Sequence, residues 1–168
     1  MSSVQGDIMP LQLLEEIGYW KAQELEHANM LRSLVPALEP PYVRWLSEWE
    51  NVFASTRDFA QRNKLFIENE PARFTQEWAD IVPKLLEDSL EQSREFSRQL
   101  QLLPGHSEAL SRMQNPELPL AYIQRQTDYF GGIMGQLERS GQSRYPDRKE
   151  RTRIVPRAFP APNRPTNF

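Results

Sequence analysis

Apolar residues recur along the chain at alternating intervals of four and three, which is the spacing of one face of an α-helix. The first stretch with this period carries Leu13, Ile17, Trp20, Glu24, His27, Leu31 and Leu34. Glu24 and His27 lie together in the middle of this otherwise apolar stripe. An unpaired polar group removed from water costs about 1 to several kcal/mol. The pattern therefore predicts that both side chains are buried and have partners.

Prolines predict where the first two helices begin and end. Pro10 suits the first turn of a helix, where its missing N–H costs nothing, and Pro36 stops the first helix at about Val35. A second helix is predicted to begin near Pro41 and to end before Pro71. Its core face is wide and aromatic, with Tyr42, Trp45, Trp49, Val52, Thr56, Phe59, Asn63 and Phe66 on one stripe and Leu46, Phe53, Ala60 and Ile67 beside it.

A third helix is predicted to follow. Its buried side is marked by Phe74, Trp78, Ile81, Leu85, Ser89, Phe96, Leu100 and Leu103. Pro83 should kink or divide this helix, because a proline inside a helix removes a hydrogen bond. The small side chains of Ser89 and Ser93 leave room for something bulky opposite them. The helix is predicted to end at Pro104-Gly105, with His106 in the loop that follows.

A fourth helix is predicted after Asn115, which suits an N-cap, and Pro116, which suits a first turn. Its predicted inward face carries Leu118, Tyr122, Gln126, Tyr129, Ile133 and Leu137. Gly131-Gly132 weakens a helix by about 1 kcal/mol per glycine. The pair therefore predicts a close backbone approach to a neighbour. The helical period stops around Gly141.

Four helical segments with short connections predict an all-α fold, an antiparallel four-helix bundle formed by residues 1–140. Residues 141–168 differ from this domain, because they contain prolines at positions 146, 156, 160, 162 and 165 and no helical period. This composition predicts an extended, polyproline-like C-terminal tail.

Composition narrows the class of protein further. The chain has no cysteine, which excludes disulfides, thiolate metal sites and cysteine nucleophiles and fits a reducing compartment. Its first residues lack a basic region followed by an apolar run, and no segment approaches the ~18 uncharged apolar residues that span a bilayer. We therefore expect a cytoplasmic protein that does not enter membranes.

Charge is distributed unevenly. The formal net charge is −3, but residues 141–168 hold seven basic and two acidic side chains, which leaves −8 on the preceding residues. The tail residues Arg151, Arg153, Arg157 and Phe159 suit binding of an acidic groove, on the same body or on a neighbouring subunit. A solubilising extension is the simpler alternative. Nucleic-acid binding is disfavoured, because the acidic body would repel a polyanion.

The spacing Glu24-x-x-His27 matches part of a ferritin-type dimetal centre, which takes a Glu from each of two helices and a Glu-x-x-His from each of the other two. Iron or manganese is the metal expected there. Glu48 is a candidate ligand from the second helix, and Glu87 or Glu91 from the third. A second Glu-x-x-His is missing, because His106 has no carboxylate three residues before it.

The fourth helix offers Tyr122, Gln126 and Tyr129 instead of histidine and carboxylate. These side chains are poor ligands for iron or manganese and good hydrogen-bond partners for a buried Glu and His. The alternative to a metal site is therefore a polar core. In it, Glu24 pairs with Lys21 or bonds to these partners, and His27 is a neutral core residue.

The segments EIGYWKAQELEHANMLRSLVPALE and VRWLSEWENVF resemble an uncharacterised group of ferritin-like helical-bundle proteins, a domain of unknown function found mainly in spore-forming bacteria. The resemblance covers residues 12–62 and extends more loosely through QSREFSRQL and RQTDYF. It implies a ferritin-like bundle and an association with spores.

The resemblance also implies a metal site that uses Glu and His on the first and last helices. Glu24 or Glu26 together with His27 matches the part on the first helix. Tyr122 and Gln126 stand where such members carry histidine and glutamate on the last helix. The resemblance therefore points to a degenerate metal site in this chain.

Two hypotheses for function follow. No glycine-rich phosphate loop, zinc-hydrolase HExxH or nucleophile elbow occurs in the sequence, which favours a non-enzymatic role. The first hypothesis is an interaction or assembly protein with a degenerate or weak metal site, whose tail contacts a partner or a neighbouring subunit. The second is an oxidoreductase or metal-storage bundle that binds iron or manganese through Glu24, His27 and Glu48.

Overall fold

The computed structural model describes the backbone of residues 4–70 and 76–141, and the side chains of residues 10–70, 81–137 and 139. These residues form helices and no strand, which confirms the predicted all-α class. The helices are α1 (Val4–Leu34), α2 (Pro40–Asn69), α3 (Gln76–His106), α4 (Glu108–Ser111) and α5 (Glu117–Gly141). Four are long, and the single-turn α4 was not expected from the sequence.

Several helix boundaries differ from those that the prolines predict. α1 begins at Val4, so Pro10 lies inside the helix and not in its first turn. α3 continues through Pro83 as one helix, and it ends at His106, which lies in its last turn and not in a loop. A proline removes one backbone hydrogen bond, and burial of a long apolar helix face stabilises the helix by more than that loss.

α1 and α2 form an antiparallel hairpin that packs along most of its length. Arg32 near the end of α1 pairs with Glu50 near the start of α2, at 2.7 Å. Lys64 near the end of α2 pairs with Glu15 of α1, at 3.7 Å. Gly18 of α1 lies at this contact, where a Cβ would be at an ordinary van der Waals distance of 3.5 Å from Cγ of Gln61.

α3 and α5 complete the bundle. α3 runs antiparallel to α2, as shown by the bond from Trp45 near the start of α2 to Gln99 late in α3. α5 packs mainly against α3 and less extensively against α1. Gln101 of α3 donates to Gln124 of α5 at 2.8 Å, which places the end of α3 beside the beginning of α5.

The core of the described residues consists of two apolar clusters. The first is aromatic and surrounds Trp49, whose ring centroid lies 5.3 Å from those of both Phe53 and Phe96. The second surrounds Trp20, whose ring centroid lies 5.1 Å from that of Phe130. The two clusters lie at successive levels along α1, because Trp20 precedes the part of α1 that enters the first cluster.

The predicted buried stripe of α1 is confirmed except at its end. Glu24 and His27 are 2% and 6% exposed, whereas Leu34 is 45% exposed because α1 ends there. On α2 the predicted wide core face is confirmed at most positions. The buried residues are Tyr42, Trp45, Trp49, Thr56 and Asn63 of the stripe and Leu46, Phe53, Ala60 and Ile67 beside it, whereas Phe59 is 40% exposed and Val52 and Phe66 are partly buried.

The predicted inward face of α5 is wrong over its first half and partly confirmed over its second. Leu118, Tyr122 and Tyr129 are exposed and Gln126 is half-buried, whereas Ile133 and Leu137 are partly buried and pack against the second apolar cluster. The residues that face the core are displaced by one or more positions: Ile123, Thr127, Phe130 and Met134. α5 has apolar side chains around much of its circumference, and its packing on α3 selects which of them are buried.

Two further expectations for this region are also wrong. Asn115 has a φ of 54°, so it is a left-handed turn residue and not an N-cap, which needs extended backbone. Gly131 and Gly132 mark no close approach among the residues that the structure describes, because a Cβ at either position would meet none of their atoms within 4 Å.

No helix in residues 4–70 and 76–141 is long and apolar enough to cross a membrane. Some predictions concern residues outside the described ranges. They are the burial of Phe74 and of the Trp78 side chain, the extended tail with its boundary at residue 141, and the binding roles of Arg151, Arg153, Arg157 and Phe159. These stay predictions.

Candidate functional site

A buried ion pair occupies the middle of α1. Lys21 is 0% exposed and Glu24 is 2% exposed, and Nζ of Lys21 lies 3.2 Å from Oε1 of Glu24. Removing two charges from water costs several kcal/mol per ion, so such a pair persists only with good geometry and further hydrogen bonds. The pairing of Glu24 with Lys21 is the alternative that the sequence left open beside a metal site.

α3 supplies the further hydrogen bonds. Nζ of Lys21 donates to the Ser89 carbonyl at 2.8 Å and to Oγ of Ser93 at 3.0 Å. Oγ of Ser93 donates to Oε1 of Glu24 at 2.6 Å. Because the two serine side chains are small, the lysine side chain has room to reach the backbone of α3. Lys21 is therefore the bulky group that the small residues of α3 were predicted to face.

Two aromatic rings enclose the lysine head group. Its Nζ lies 5.2 Å from the ring centroid of Phe53 and 5.7 Å from that of Phe130. A cation is attracted to the face of an aromatic ring, and the attraction grows when water is excluded. Phe53 belongs to the first apolar cluster and Phe130 to the second. Lys21 is therefore the polar connection between the two clusters.

Burial opposes charge on both members of the pair. It lowers the pKa of Lys21 and raises the pKa of Glu24, and the attraction between the two groups acts in the opposite direction for each. Removal of either partner would leave the other with the full cost of desolvation. The pair is therefore a tightly coupled unit, and its charge depends on both residues being present.

His27 lies one turn beyond the ion pair, beneath α5. Its Nδ1 is buried and has no hydrogen-bond partner in the described part of the chain. The Tyr122 ring packs edge-on against the imidazole, with centroids 5.7 Å apart and planes at 82°. Burial lowers the pKa of His27, and the nearby charge of Glu26 partly opposes this. The structure therefore favours a neutral imidazole.

The His27 environment predicts a pH dependence of stability. Because the pKa is lower in the folded state than its ordinary value of 6.5, the unfolded chain binds the proton more readily. The free energy of unfolding should therefore fall as pH decreases below about 6.5. Urea denaturation between pH 8 and pH 5 measures this loss, and His27→Gln should reduce it. An identical pH dependence in the variant would contradict the prediction.

The other residues predicted for the metal site do not gather around Glu24. Glu48 is exposed on α2, on the side of that helix away from the core. Tyr122 and Tyr129 were expected as core partners but are 44% and 63% exposed, and Gln126 is half-buried. Tyr122 contacts His27 and Tyr129 contacts Trp20 through their rings, so neither uses its hydroxyl in the core.

The donor set of a dimetal centre is therefore not assembled in the described residues. No group of three or more His, Cys, Asp or Glu side chains within them is placed to hold a metal ion. The Glu24 carboxylate accepts hydrogen bonds from Lys21 and Ser93, and a metal would have to displace an ammonium group from it. The residues present do not fit the group that the resemblance implies, and binding of iron or manganese stays a prediction.

Sequence analysis also missed a polar contact between α2 and α3. Oε1 of Gln99 accepts from Nε1 of Trp45 at 2.7 Å and from Nε1 of Trp49 at 3.0 Å. One amide oxygen therefore serves two buried indole groups. A signal was available, because Trp45 and Trp49 are one turn apart on the core face, and indole N–H groups need acceptors when buried.

The fold and this site together define an all-α helical bundle with a polar, ion-paired core. Comparisons with protein-family models, curated proteins and solved structures found no match for the chain.

Proposed function

We propose that this chain is a helical-bundle assembly protein that pairs with a second copy of itself through the outer face of α5, and whose basic tail contacts the neighbouring subunit. The observation that carries the proposal is a row of exposed residues on α5 at alternating intervals of four and three. This row, the α5 seam, comprises Leu118, Tyr122, Arg125, Tyr129 and Gly132. Such spacing lets one helix pack lengthwise against another.

The α5 seam carries large exposed side chains. Leu118 is 62% exposed and Tyr129 is 63% exposed, and Tyr19 of α1 adds another ring at 57%. Tyr19 and Tyr129 both contact the buried Trp20 through their rings, so the two exposed tyrosines lie near each other at the α1–α5 boundary. Tyrosine is enriched at protein interfaces, because it combines a large apolar area with a polar tip.

The seam is complementary to itself. In a two-fold symmetric dimer, the same patch must serve both subunits. If two α5 helices pack antiparallel about an axis near Arg125, Tyr122 of one copy faces Tyr129 of the other. Arg125 then lies close to Asp128 of the other copy, and both side chains are exposed. This charge complementarity favours a second copy over an unrelated partner.

The glycines of α5 support the same arrangement. A glycine inside a helix costs about 1 kcal/mol relative to alanine. No atom of the described part of the chain lies within 4 Å of a Cβ built on Gly131 or Gly132. Gly132 belongs to the α5 seam, where a missing side chain lets a second backbone approach closely. On this proposal, the second subunit is the close neighbour that the glycine pair predicts.

The tail starts where α5 ends. Residues 141–168 carry a net charge of +5 beside a body of −8. In an antiparallel dimer the C-terminal end of α5 lies next to the other subunit, and on this proposal Arg151, Arg153 and Arg157 pair with the acidic surface of that subunit. Opposite charge makes this contact dependent on salt.

The dimer is testable by light scattering and sedimentation velocity on the full chain. We expect the wild-type chain to have the mass of two copies, and Tyr129→Glu to give one copy, because a carboxylate would enter an apolar contact. Leu65→Glu is the matched control, since Leu65 is 57% exposed on α2. Deletion of residues 142–168 should weaken the dimer and reduce its salt dependence. A monomeric wild-type chain, or equal effects of both substitutions, would refute the proposal.

A further inference from the structure

The contact between α3 and α5 is incompletely packed. A cleft of about 420 Å³ lies along it, because small residues face each other there, Ser93 and Ser97 on α3 and Thr127 and Gly131 on α5. Where a side chain has no neighbour across a contact, the dispersion energy of close packing is lost. α5 is therefore held to α3 by less packing than the close contact between α1 and α2 supplies.

Buried polar atoms without hydrogen-bond partners collect where α5 covers the bundle. Within the described residues they include Nε1 of Trp20, Nδ1 of His27 and Oγ1 of Thr127. The Trp20 ring packs against Phe130 of α5, and the His27 ring packs against Tyr122 of α5. A buried donor or acceptor without a partner has lost its bonds to water and gained none in return. Closure of α5 therefore has a cost at three positions.

The contact between α2 and α3 shows the opposite arrangement. Oγ1 of Thr56 donates to Oε1 of Gln92 at 3.1 Å. The indole groups of Trp45 and Trp49 both donate to Oε1 of Gln99. Because these buried groups have partners, separation of α2 from α3 breaks hydrogen bonds inside the core. Separation of α5 would instead return unpartnered groups to water.

The connection from α4 to α5 suits a hinge. Asn115 has a φ of 54°, a backbone conformation that is uncommon in residues other than glycine. If α5 moves, Asn115 can return to the extended conformation that is favoured before a proline. Gln124 accepts hydrogen bonds from Ser97 and Gln101 of α3 close to this end of α5, and both bonds are at least partly accessible to water. Water can therefore replace them when α5 moves.

α5 also covers the buried ion pair. The ring centroid of Phe130 lies 5.7 Å from Nζ of Lys21, and Phe130 is one of the two rings that enclose this ammonium group. Burial of Lys21 and Glu24 has a desolvation cost, and access of water to the pair relieves part of it. Movement of α5 away from α1 would therefore recover hydration for both charges.

We infer that α5 is a lid, which opens from α1 and α3 as a unit and admits water to the Lys21–Glu24 pair while α1, α2 and α3 stay folded. Opening of the lid costs less free energy than unfolding of the whole bundle. Native proteins open locally where buried apolar contacts are few, and α5 is the long helix with this property. The lid belongs to the single chain and does not require pairing of two α5 seams.

Native-state hydrogen exchange of the full chain in low concentrations of urea, measured by NMR at single amides, tests the lid. Buried amides of α5 should exchange on the order of 100-fold faster than those of α2 around Trp49. The urea dependence should be smaller for α5, because a local opening exposes less surface than global unfolding. Equal rates with equal urea dependence would overturn the inference, since α5 would then open only with the whole bundle.

Two substitutions on α5 should slow its exchange selectively. Thr127→Val replaces the unpartnered hydroxyl with a methyl group and should slow exchange about tenfold. Gly131→Ala should slow it about fivefold, because alanine favours a helix and a Cβ there would meet no described atom within 4 Å. Thr56→Val is the matched control, because the hydroxyl of this buried threonine has a partner, and it should slow exchange nowhere. Failure of both α5 variants to slow exchange in α5 would refute the lid.

Arg125→Glu separates the lid from self-association. Arg125 is exposed on the outer face of α5, so the substitution opposes the α5 seam and leaves the inner face of the helix unchanged. α5 should still exchange faster than α2 in this variant. Equal exchange of the two helices there would overturn the lid. Light scattering decides the seam and the exchange pattern decides the lid, so either proposal can fail without the other.

Discussion

Replacing Glu24 with leucine is expected to lower the free energy of unfolding by about 3–5 kcal/mol, the cost of leaving one member of a buried ion pair uncompensated. Glu24 is the carboxylate that neutralises the fully buried Lys21 ammonium. After the substitution, Lys21 keeps its bonds to the Ser89 carbonyl and to Ser93, but neither carries a negative charge. Urea denaturation at pH 7 with linear extrapolation measures the loss.

The double variant Lys21→Met/Glu24→Leu should recover most of that stability. Two apolar side chains of similar volume avoid both desolvation costs, and such replacements are often neutral or stabilising. Glu26→Leu is the matched control, because Glu26 is an exposed carboxylate on the same helix. The difference in free energy of unfolding between the wild type and Glu24→Leu should also become smaller as pH rises, because Lys21 of the variant then loses its charge. A double variant as unstable as the single one would contradict this account.

The long helices were predictable from the sequence, because they depend on local signals. The period of α1 placed Glu24 and His27 inside, and both are buried. The prolines near residues 36 and 41 correctly marked the turn between α1 and α2. Pro10 misled the prediction of a boundary and Pro83 does not divide α3, because the burial of a long helix outweighs one lost hydrogen bond. A kink at Pro83 stays a prediction.

The orientation of α5 was not predictable by the same means. Two stripes on α5, one through Tyr122 and Tyr129 and one through Ile123 and Phe130, both have helical spacing and apolar content. Tyrosine can occupy either a core or a surface, because its ring is apolar and its hydroxyl is polar. Which of the two stripes is buried depends on how α5 packs against α3. The periodicity of α5 alone carries no information about that packing. The stripe that sequence analysis placed inside is largely the exposed face of α5.

The candidate site was partly predictable. Lys21 lies three residues before Glu24, so helical spacing alone made it a possible partner. Ser93 was predicted to face inward, but its bond to Glu24 depends on the register of α3 against α1. The packing of the whole helices determines that register, and no short sequence motif predicts it. The same limit applies to Gln99, whose role requires α2 and α3 to be aligned.

Replacing Trp49 with alanine is expected to lower the free energy of unfolding by about 3–5 kcal/mol, as for other large buried aromatic residues. Trp49 is 0% exposed, and its ring packs against those of Phe53 and Phe96, with its centroid 5.3 Å from each. The substitution opens a cavity in the first apolar cluster, and rings on two different helices lose contacts. Urea denaturation measures this loss.

Trp49→Phe separates ring packing from hydrogen bonding at the same position. It keeps most of the apolar volume and removes one donor to Gln99, whose Oε1 still accepts from Trp45 at 2.7 Å. Because no buried acceptor is left unsatisfied, we expect a loss of about 1 kcal/mol, mainly from the smaller ring and the lost bond. Phe59→Ala is the control, since Phe59 is 40% exposed on the same helix, and it should cost less than Trp49→Ala. If Phe59→Ala and Trp49→Ala were equally destabilising, the packing of α2 around Trp49 would be wrong.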